Sequence, residues 1–178
     1  MLENLKNYNI ILASKSPRRQ ELLKGIGLNF NVLTKEVDES YSKNVPVYDV
    51  APFLSLKKAK AFDDNELPEN YMIITADTVV IVNDVILGKP EDEDDARRML
   101  RLLSGKKHSV VTGVTIYTSE KTKTFSVTSK VSFDVLDDDE VEYYVVEQEY
   151  NGHDYILFDT MNGGLGVIHN PDCKCVKK

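Results

Sequence analysis

The sequence has no tryptophan and only two cysteines, Cys173 and Cys175, among its 178 residues. A single residue separates these cysteines, so they cannot cross-link a fold, and the cytoplasm is the expected compartment. No apolar run approaches the length that spans a bilayer, and the first residues lack the basic and then apolar pattern of a signal peptide. The sequence therefore predicts no membrane association.

Positive charge is also scarce, because 22 lysines and arginines face 29 aspartates and glutamates, for a formal net charge of -7. An acidic protein does not wrap a nucleic acid through bulk electrostatics, so no nucleic-acid partner is expected. An anionic substrate would need a local basic cluster. Apolar residues make up 42% of the chain, enough for a packed core in one domain or in two small lobes that share a cleft.

Apolar runs alternate with helical patterns along the chain, which is typical of an α/β fold with a mixed sheet flanked by helices. Asn83 and Asp84 lie between two apolar runs and predict a tight hairpin turn. Ala76, Asp77 and Thr78 are expected to end a strand. Strands are predicted at 10–13, 30–33, 71–75, 79–82, 85–87, 109–118 and 125–136. Helices are predicted from residue 16, at 48–62, from 91 to 105 and at 137–145. A C-terminal hairpin is predicted at 155–168.

The segment after the first strand is the most informative part of the sequence. Ser16 has the position of a helix N-cap and Pro17 the first helical position, so Arg18 and Arg19 lie on a first turn whose dipole they oppose. A phosphate group would offset that charge by binding the free N–H groups and the arginines together. Ser14, Ser16, Arg18 and Arg19 are therefore candidate substrate-binding residues. The alternative is that the arginines are solvated or pair with Glu21.

Five further charged residues are candidates for chemistry. Asp77 follows an apolar strand and can hold a divalent metal or activate water, although an aspartate there can also cap a turn. Lys89 lies between glycine and proline, and Lys58 lies on a helix with one apolar face. Either lysine could instead be a solvated surface residue. Asp38 and Glu39 could supply a second metal-binding carboxylate or form a polar turn. Cations and carboxylates at the ends of elements suit a metal-bridged polyphosphate.

Five short segments of the chain carry a further signal through their order and spacing. They are Ser14-Lys15-Ser16-Pro17-Arg18-Arg19, Ala76-Asp77-Thr78, Leu87-Gly88-Lys89-Pro90, Leu103-Ser104-Gly105 and His108-Ser109-Val110-Val111-Thr112-Gly113. Together they resemble the Maf proteins, which are nucleoside triphosphate pyrophosphatases. The similarity extends from about residue 8 to about residue 146, and the resemblance implies a domain at 1–146 with a Maf-like and ITPase-like architecture and a cleft.

The resemblance implies hydrolysis of a nucleoside triphosphate to the monophosphate and pyrophosphate, in a house-cleaning role and with Mg²⁺ or Mn²⁺ as cofactor. It implies that Asp77 is the general base or a metal-associated carboxylate, and that Asp38 is its acidic partner at the metal. Lys58 and Lys89 would be the cations on the phosphate side. Arg18 and Thr78 match positions that family members use for substrate choice, and the branch nearest this sequence prefers dTTP, UTP and modified pyrimidine nucleotides.

Residues 147–178 depart from the family pattern. They lack an Asp-Lys-Ala-Gly block that supplies the family with a further site Asp and Lys and a specificity Gln. The alternative function is therefore a nucleotide-binding or regulatory protein without turnover. His169, Cys173 and Cys175, with His153, are ligand types that zinc accepts, but a single Cys-x-Cys lacks the paired spacing of zinc sites, and a plain hairpin with reduced thiols is favoured. The base specificity and the formation of a homodimer are left open.

Overall fold

The computed structural model describes residues 3–138 and 141, together with the backbone of three strands at 146–150, 153–160 and 164–169. The chain divides into two compact units. The first unit comprises Met1–Ile81 and Val110–Ser129, and the second comprises Val82–Ser109 and Lys130–Lys178.

Three helices flank a mixed sheet of six strands, as the sequence predicts. The helices are α1 (Pro17–Gly25), α2 (Val50–Ala59) and α3 (Glu93–Leu103). The strands of this sheet are β1 (Asn9–Leu12), β2 (Asn31–Val32), β3 (Tyr71–Val82), β4 (Val85–Leu87), β5 (Lys107–Tyr117) and β6 (Thr122–Ser132). Their order is β2-β1-β3-β5-β6, and β4 pairs with β3.

Strand β3 differs from its prediction, and the difference concerns Asp77. The sequence predicts a strand that ends at Ala76-Asp77-Thr78, whereas the structure has one strand from Tyr71 to Val82. The parallel strand β1 pairs only with the first part of β3, up to Leu12 opposite Ile74, but β5 is the neighbour of β3 on its other side. Pairing with β5 explains why polar residues do not interrupt the strand. Asp77 therefore lies in mid-strand, just beyond the carboxyl end of β1.

The predicted start of α1 is confirmed in position but not in its capping bond. Pro17 is the first residue of the helix and Ser16 is the N-cap, yet the Ser16 side chain makes no capping hydrogen bond. Instead, the Ser16 backbone N–H donates to Ser14 Oγ at 3.2 Å, which tightens the turn between β1 and the helix. The hydroxyl that organises this turn is therefore the buried one of Ser14.

Several other predicted elements are present with shifted ends, whereas most of the helix predicted at 137–145 lies outside the described residues. The helix expected over 48–62 is a 3-10 turn at Val47–Asp49 followed by the shorter α2. Asp92 caps α3 by accepting from the Asp95 N–H at 2.8 Å. The hairpin between β3 and β4 turns at Asn83 and Asp84, whose φ angles of 49° and 58° are left-handed.

Each unit has an apolar cluster. In the first unit, Ile11 and Ile73 from neighbouring strands pack with Phe62 and Tyr71. A further close contact in this unit joins α2 to the sheet at Gly113, where a Cβ would lie under 3.0 Å from backbone atoms of the helix start. Glycine thus allows the helix backbone to approach the strand. In the second unit, the buried residues of the cluster are Ala96, Leu100 and Val141.

A three-stranded antiparallel sheet follows in the C-terminal segment, and it contains the predicted hairpin. Its strands are β7 (Val146–Tyr150), β8 (His153–Thr160) and β9 (Gly164–His169), in that order. The candidate zinc ligands lie outside the described side chains, and the domain boundary at residue 146 stays a prediction. In the ranges described, no helix has the length and apolarity needed to cross a membrane.

Candidate active site

Lys58 and Asp77 form the centre of the candidate site in the first unit. Lys58 lies in the last turn of α2, and its Nζ atom is 2.5 Å from Asp77 Oδ1. The same Nζ atom is 2.8 Å from Oε1 of Glu39, which belongs to the loop between β2 and α2. One ammonium group therefore bridges two carboxylates that lie 38 residues apart in the sequence (77 − 39).

The charge state of Lys58 follows from competing effects. Burial is the largest single influence and lowers the pKa of the ammonium group, but its hydrogen bonds to Asp77 and Glu39 together outweigh burial and raise the pKa above the usual value. Asp77 is buried, whereas Glu39 is exposed. Lys58 is therefore a fully charged cation held against a buried carboxylate.

Arg19 anchors the loop between β1 and α1 to strand β3. Its Nη1 atom donates to the backbone oxygen of Ala76 at 2.8 Å and to Ser14 Oγ at 3.5 Å. Burial lowers the pKa of the guanidinium, and the charges of Asp77 and Glu39 only partly offset this effect. Arg19 is thus a structured cation beside Asp77, and this geometry differs from the solvated alternative.

Two threonine hydroxyls extend the site on the side of Arg19. Nη2 of Arg19 donates to Thr78 Oγ1 at 3.3 Å, and Thr78 Oγ1 is 3.1 Å from Thr112 Oγ1 on β5. Thr78 is exposed, so its hydroxyl is accessible to a ligand. The predicted residues Ser14, Arg19, Lys58, Asp77 and Thr78 are therefore brought together.

The remaining candidate residues occupy other positions. Arg18 is exposed on the first turn of α1, beside the Ser16 N-cap. Asp38 is exposed and accepts from the Ser40 N–H at 2.9 Å, and its contacts with Ser40 and Lys57 hold the pKa of its carboxyl below the usual value. Lys89 is exposed in the second unit, between β4 and α3. Their roles stay predictions.

The donor atoms at the centre suit a hard divalent cation. Magnesium is usually held by one or two carboxylates together with substrate phosphates, and the carboxylates of Asp77 and Glu39 already share one cation here. Their oxygen atoms are ligands of the kind that such a cation accepts. Among the described residues, no group of three or more His, Cys, Asp or Glu side chains could hold a metal.

A loop anchored by Arg19, a helix N-terminus and a lysine that bridges two carboxylates lie together in the first unit of an α/β protein. The description "Maf-like protein" belongs to the family whose model matches residues 9–155, and the chain belongs to this family. The resemblance stated from the motifs is thus confirmed.

Curated relatives match most of this chain, from 82% to 94% of its length in the three examples that follow. The dTTP/UTP pyrophosphatase of Bacteroides thetaiotaomicron is 47% identical over 146 residues, which cover 82% of this chain and 75% of the relative. The protein of that name from Phocaeicola vulgatus is 44% identical with the same coverage, and the one from Parabacteroides distasonis is 41% identical over 94% of this chain and 82% of the relative. The structure of the Staphylococcus aureus Ham1 protein aligns with a TM-score of 0.49 at 16% identity, covering 68% of this chain and 70% of that one.

Two contacts of the site were not predicted from the sequence. Asp38 and Glu39 were both candidate carboxylates, and Glu39 is the one that contacts Lys58, while the role of Asp38 as the acidic partner of Asp77 stays a prediction. Neighbouring carboxylates in a loop have no periodicity that would distinguish them. Thr112 was part of a matching motif, yet only its hydrogen bond to Thr78 indicates a place at the site.

Proposed function

We propose that this chain hydrolyses nucleoside triphosphates to the monophosphate and pyrophosphate. The observation that carries the proposal is the Lys58 ammonium group bridging Asp77 and Glu39, next to the Arg19-anchored loop. The names of the curated relatives support dTTP and UTP as substrates, and modified pyrimidine nucleotides belong to the same proposal. The cellular role would be house-cleaning of the nucleotide pool.

The reaction needs a water molecule, a base and neutralisation of phosphate charge. Asp77 accepts a proton from water as the water oxygen forms a bond to phosphorus and the anhydride bond between the α- and β-phosphates breaks. The bonding electrons leave with the bridging oxygen, so that pyrophosphate and the nucleoside monophosphate are the products. Arg18, Arg19 and Lys58 offset the phosphate charge, and Lys89 is a further candidate for that role.

Mg²⁺ or Mn²⁺ is the proposed cofactor. Asp77 would hold it together with Glu39 or Asp38 from the loop before α2, because oxygen ligands suit both ions. The ion would supply neutralisation of the triphosphate charge. Lys58 keeps the carboxylates in place and limits their mutual repulsion.

A nucleotide panel with a matched pair of lysine variants tests the proposal. Pyrophosphate release is measured with dTTP, UTP, modified pyrimidine nucleotides and purine triphosphates, with Mg²⁺, with Mn²⁺ and after chelation. Lys58→Met should lower the rate by about a hundredfold or more, because a positioned charge at a reacting phosphate has an effect of that order. Lys60→Met, on the exposed end of the same helix, should leave the rate unchanged.

The panel also separates the two functions. Folded protein that releases no pyrophosphate from any nucleotide would overturn the proposal. If nucleotide still raises the melting temperature of that protein, the alternative function as a nucleotide-binding protein is supported, because a ligand that binds only the folded state stabilises it.

A further inference from the structure

A row of buried hydroxyl groups connects α2 to the strands of the first unit. Ser55 on α2, Thr75 on β3 and Thr115 on β5 are all 0% exposed. Ser55 Oγ is 2.9 Å from Thr115 Oγ1, and Thr115 Oγ1 is 2.9 Å from Thr124 Oγ1 on β6. Thr75 Oγ1 donates to the backbone oxygen of Ser55 at 2.7 Å. Side-chain hydroxyls therefore attach the helix directly to β3 and β5, and Thr124 extends the row to β6.

The hydrogen-bond directions in this row follow from the number of protons. Ser55 Oγ donates to the backbone oxygen of Pro52 at 2.9 Å, because a carbonyl only accepts. Thr115 must then donate to Ser55, and Thr124 must donate to Thr115, since each hydroxyl has a single proton. Every donor in the row is used, which makes one arrangement of the helix against the sheet preferable to its neighbours.

The attachment is placed directly beside the catalytic contact. Thr75 and Asp77 are two residues apart on β3 and share a face of the strand, while Ser55 and Lys58 are three residues apart on α2 and share a face of the helix. The bond from Thr75 to Ser55 thus runs next to the bond from Lys58 to Asp77. Any slide of α2 along β3 would break both.

We propose that the buried hydroxyl row of Thr75, Ser55 and Thr115 positions Lys58 against Asp77, so that Thr75 is a positioning residue for the hydrolysis. This inference rests on the proposed function, because it concerns the same site. Gly113 supports this proposal independently, because the start of α2 is in backbone contact with β5 at that glycine. That contact leaves the helix free to rotate and to slide, and the hydroxyl row restricts both motions. Ser14 and Arg19 bond to each other, to Ala76 and to Thr78, and not to the hydroxyls of Ser55, Thr75 or Thr115.

The test removes one hydroxyl without changing the shape of its side chain. Thr75→Val should lower kcat by about tenfold while KM changes less than twofold, because the catalytic pair is displaced and the phosphate-binding loop is not. Thr75→Ser keeps the hydroxyl and should restore kcat. The control is Tyr117→Phe on β5, which loses a 3.0 Å hydrogen bond to Asp64 and should lose stability without losing kcat.

A double-mutant cycle shows whether Thr75 acts through Lys58. In the Lys58→Met background, Thr75→Val should cause no further loss of kcat, because the group it positions is already absent. If the two losses multiply instead, Thr75 acts by another route and the inference is wrong. Should Thr75→Val fail to fold, Thr115→Val removes the next bond of the row and the same cycle applies.

One measurement does not depend on turnover. In a crystal structure of Thr75→Val, the Lys58 Nζ to Asp77 Oδ1 distance should exceed the hydrogen-bond limit of about 3.5 Å. A distance unchanged from the wild type, or a wild-type kcat in Thr75→Val, would overturn the inference while leaving the proposed function intact. A wild-type protein without any pyrophosphate release would overturn the proposed function, whatever the distance.

Discussion

Replacing Gly113 by alanine adds one methyl group where α2 meets β5. The new Cβ would lie under 3.0 Å from backbone atoms of Ala51 and Pro52, whereas carbon atoms in contact are about 3.5–4.0 Å apart. The obstructing atoms belong to the backbone and cannot rotate away, so the helix start has to move by about 1 Å. Overpacking of this kind costs about 1–3 kcal/mol, and the upper end applies here.

Gly113→Ala should lower the melting temperature, and two other glycine positions provide matched controls. At about 2–4 °C per kcal/mol for a chain of this size, Gly113→Ala should lower the melting temperature by about 6–12 °C. Gly25→Ala, at the end of α1 with no atom within 4 Å of the new Cβ, should leave it unchanged or slightly higher. Gly27→Ala is also unobstructed, but its φ of 78° should cost about 1–2 kcal/mol.

Thermal denaturation followed by circular dichroism ranks the three variants. The reasoning about Gly113 is refuted if Gly113→Ala melts within 2 °C (about 1 kcal/mol or less) of Gly25→Ala. It is also refuted if Gly27→Ala is the least stable, because conformational strain would then outweigh the backbone contact.

Three further predictions concern single residues. Asp77→Asn should reduce pyrophosphate release by about a hundredfold or more, because the amide cannot act as a base. Nucleotide should still raise the melting temperature of this variant, because the fold is kept. Arg18→Ala should raise KM about tenfold and change kcat little, which steady-state kinetics with dTTP would measure. An unchanged KM would exclude a role of Arg18 in substrate binding. Burial lowers the pKa of His108 in the folded protein, so the unfolded protein binds a proton at this histidine more readily. The stability of the fold should therefore decrease as pH drops below about 6.5. His108→Leu should flatten the dependence of melting temperature on pH between about 7.5 and 5.

The order of elements could be predicted because each has a local cause. Pro17 marks the start of α1, and the paired Asn83 and Asp84 mark the hairpin of β3 and β4. The length of β3 could not be predicted, since the residues around Asp77 break the apolar pattern of an isolated strand. Pairing with a distant strand keeps the backbone extended there.

The candidate site was predictable in its residue types more than in its contacts. Arg19, Lys58 and Asp77 were identified from their positions at the ends of predicted elements and from the resemblance, and the structure brings them together. The choice of Glu39 over its neighbour depends on the path of a loop without regular structure. The hydroxyl pair of Ser55 and Thr115 joins residues 60 apart, which a single sequence does not reveal.

The charges that meet around Lys58 also determine how the substrate arrives. Lys58 and Arg19 carry two positive charges, and Asp77 and Glu39 carry two negative ones, so these four interacting side chains have no net charge. The chain as a whole has a net charge of -7. Long-range attraction therefore cannot accelerate the encounter with a free triphosphate, and the overall field repels it. Added salt screens this repulsion, so kcat/KM should rise with ionic strength at low salt, the reverse of an electrostatically steered enzyme.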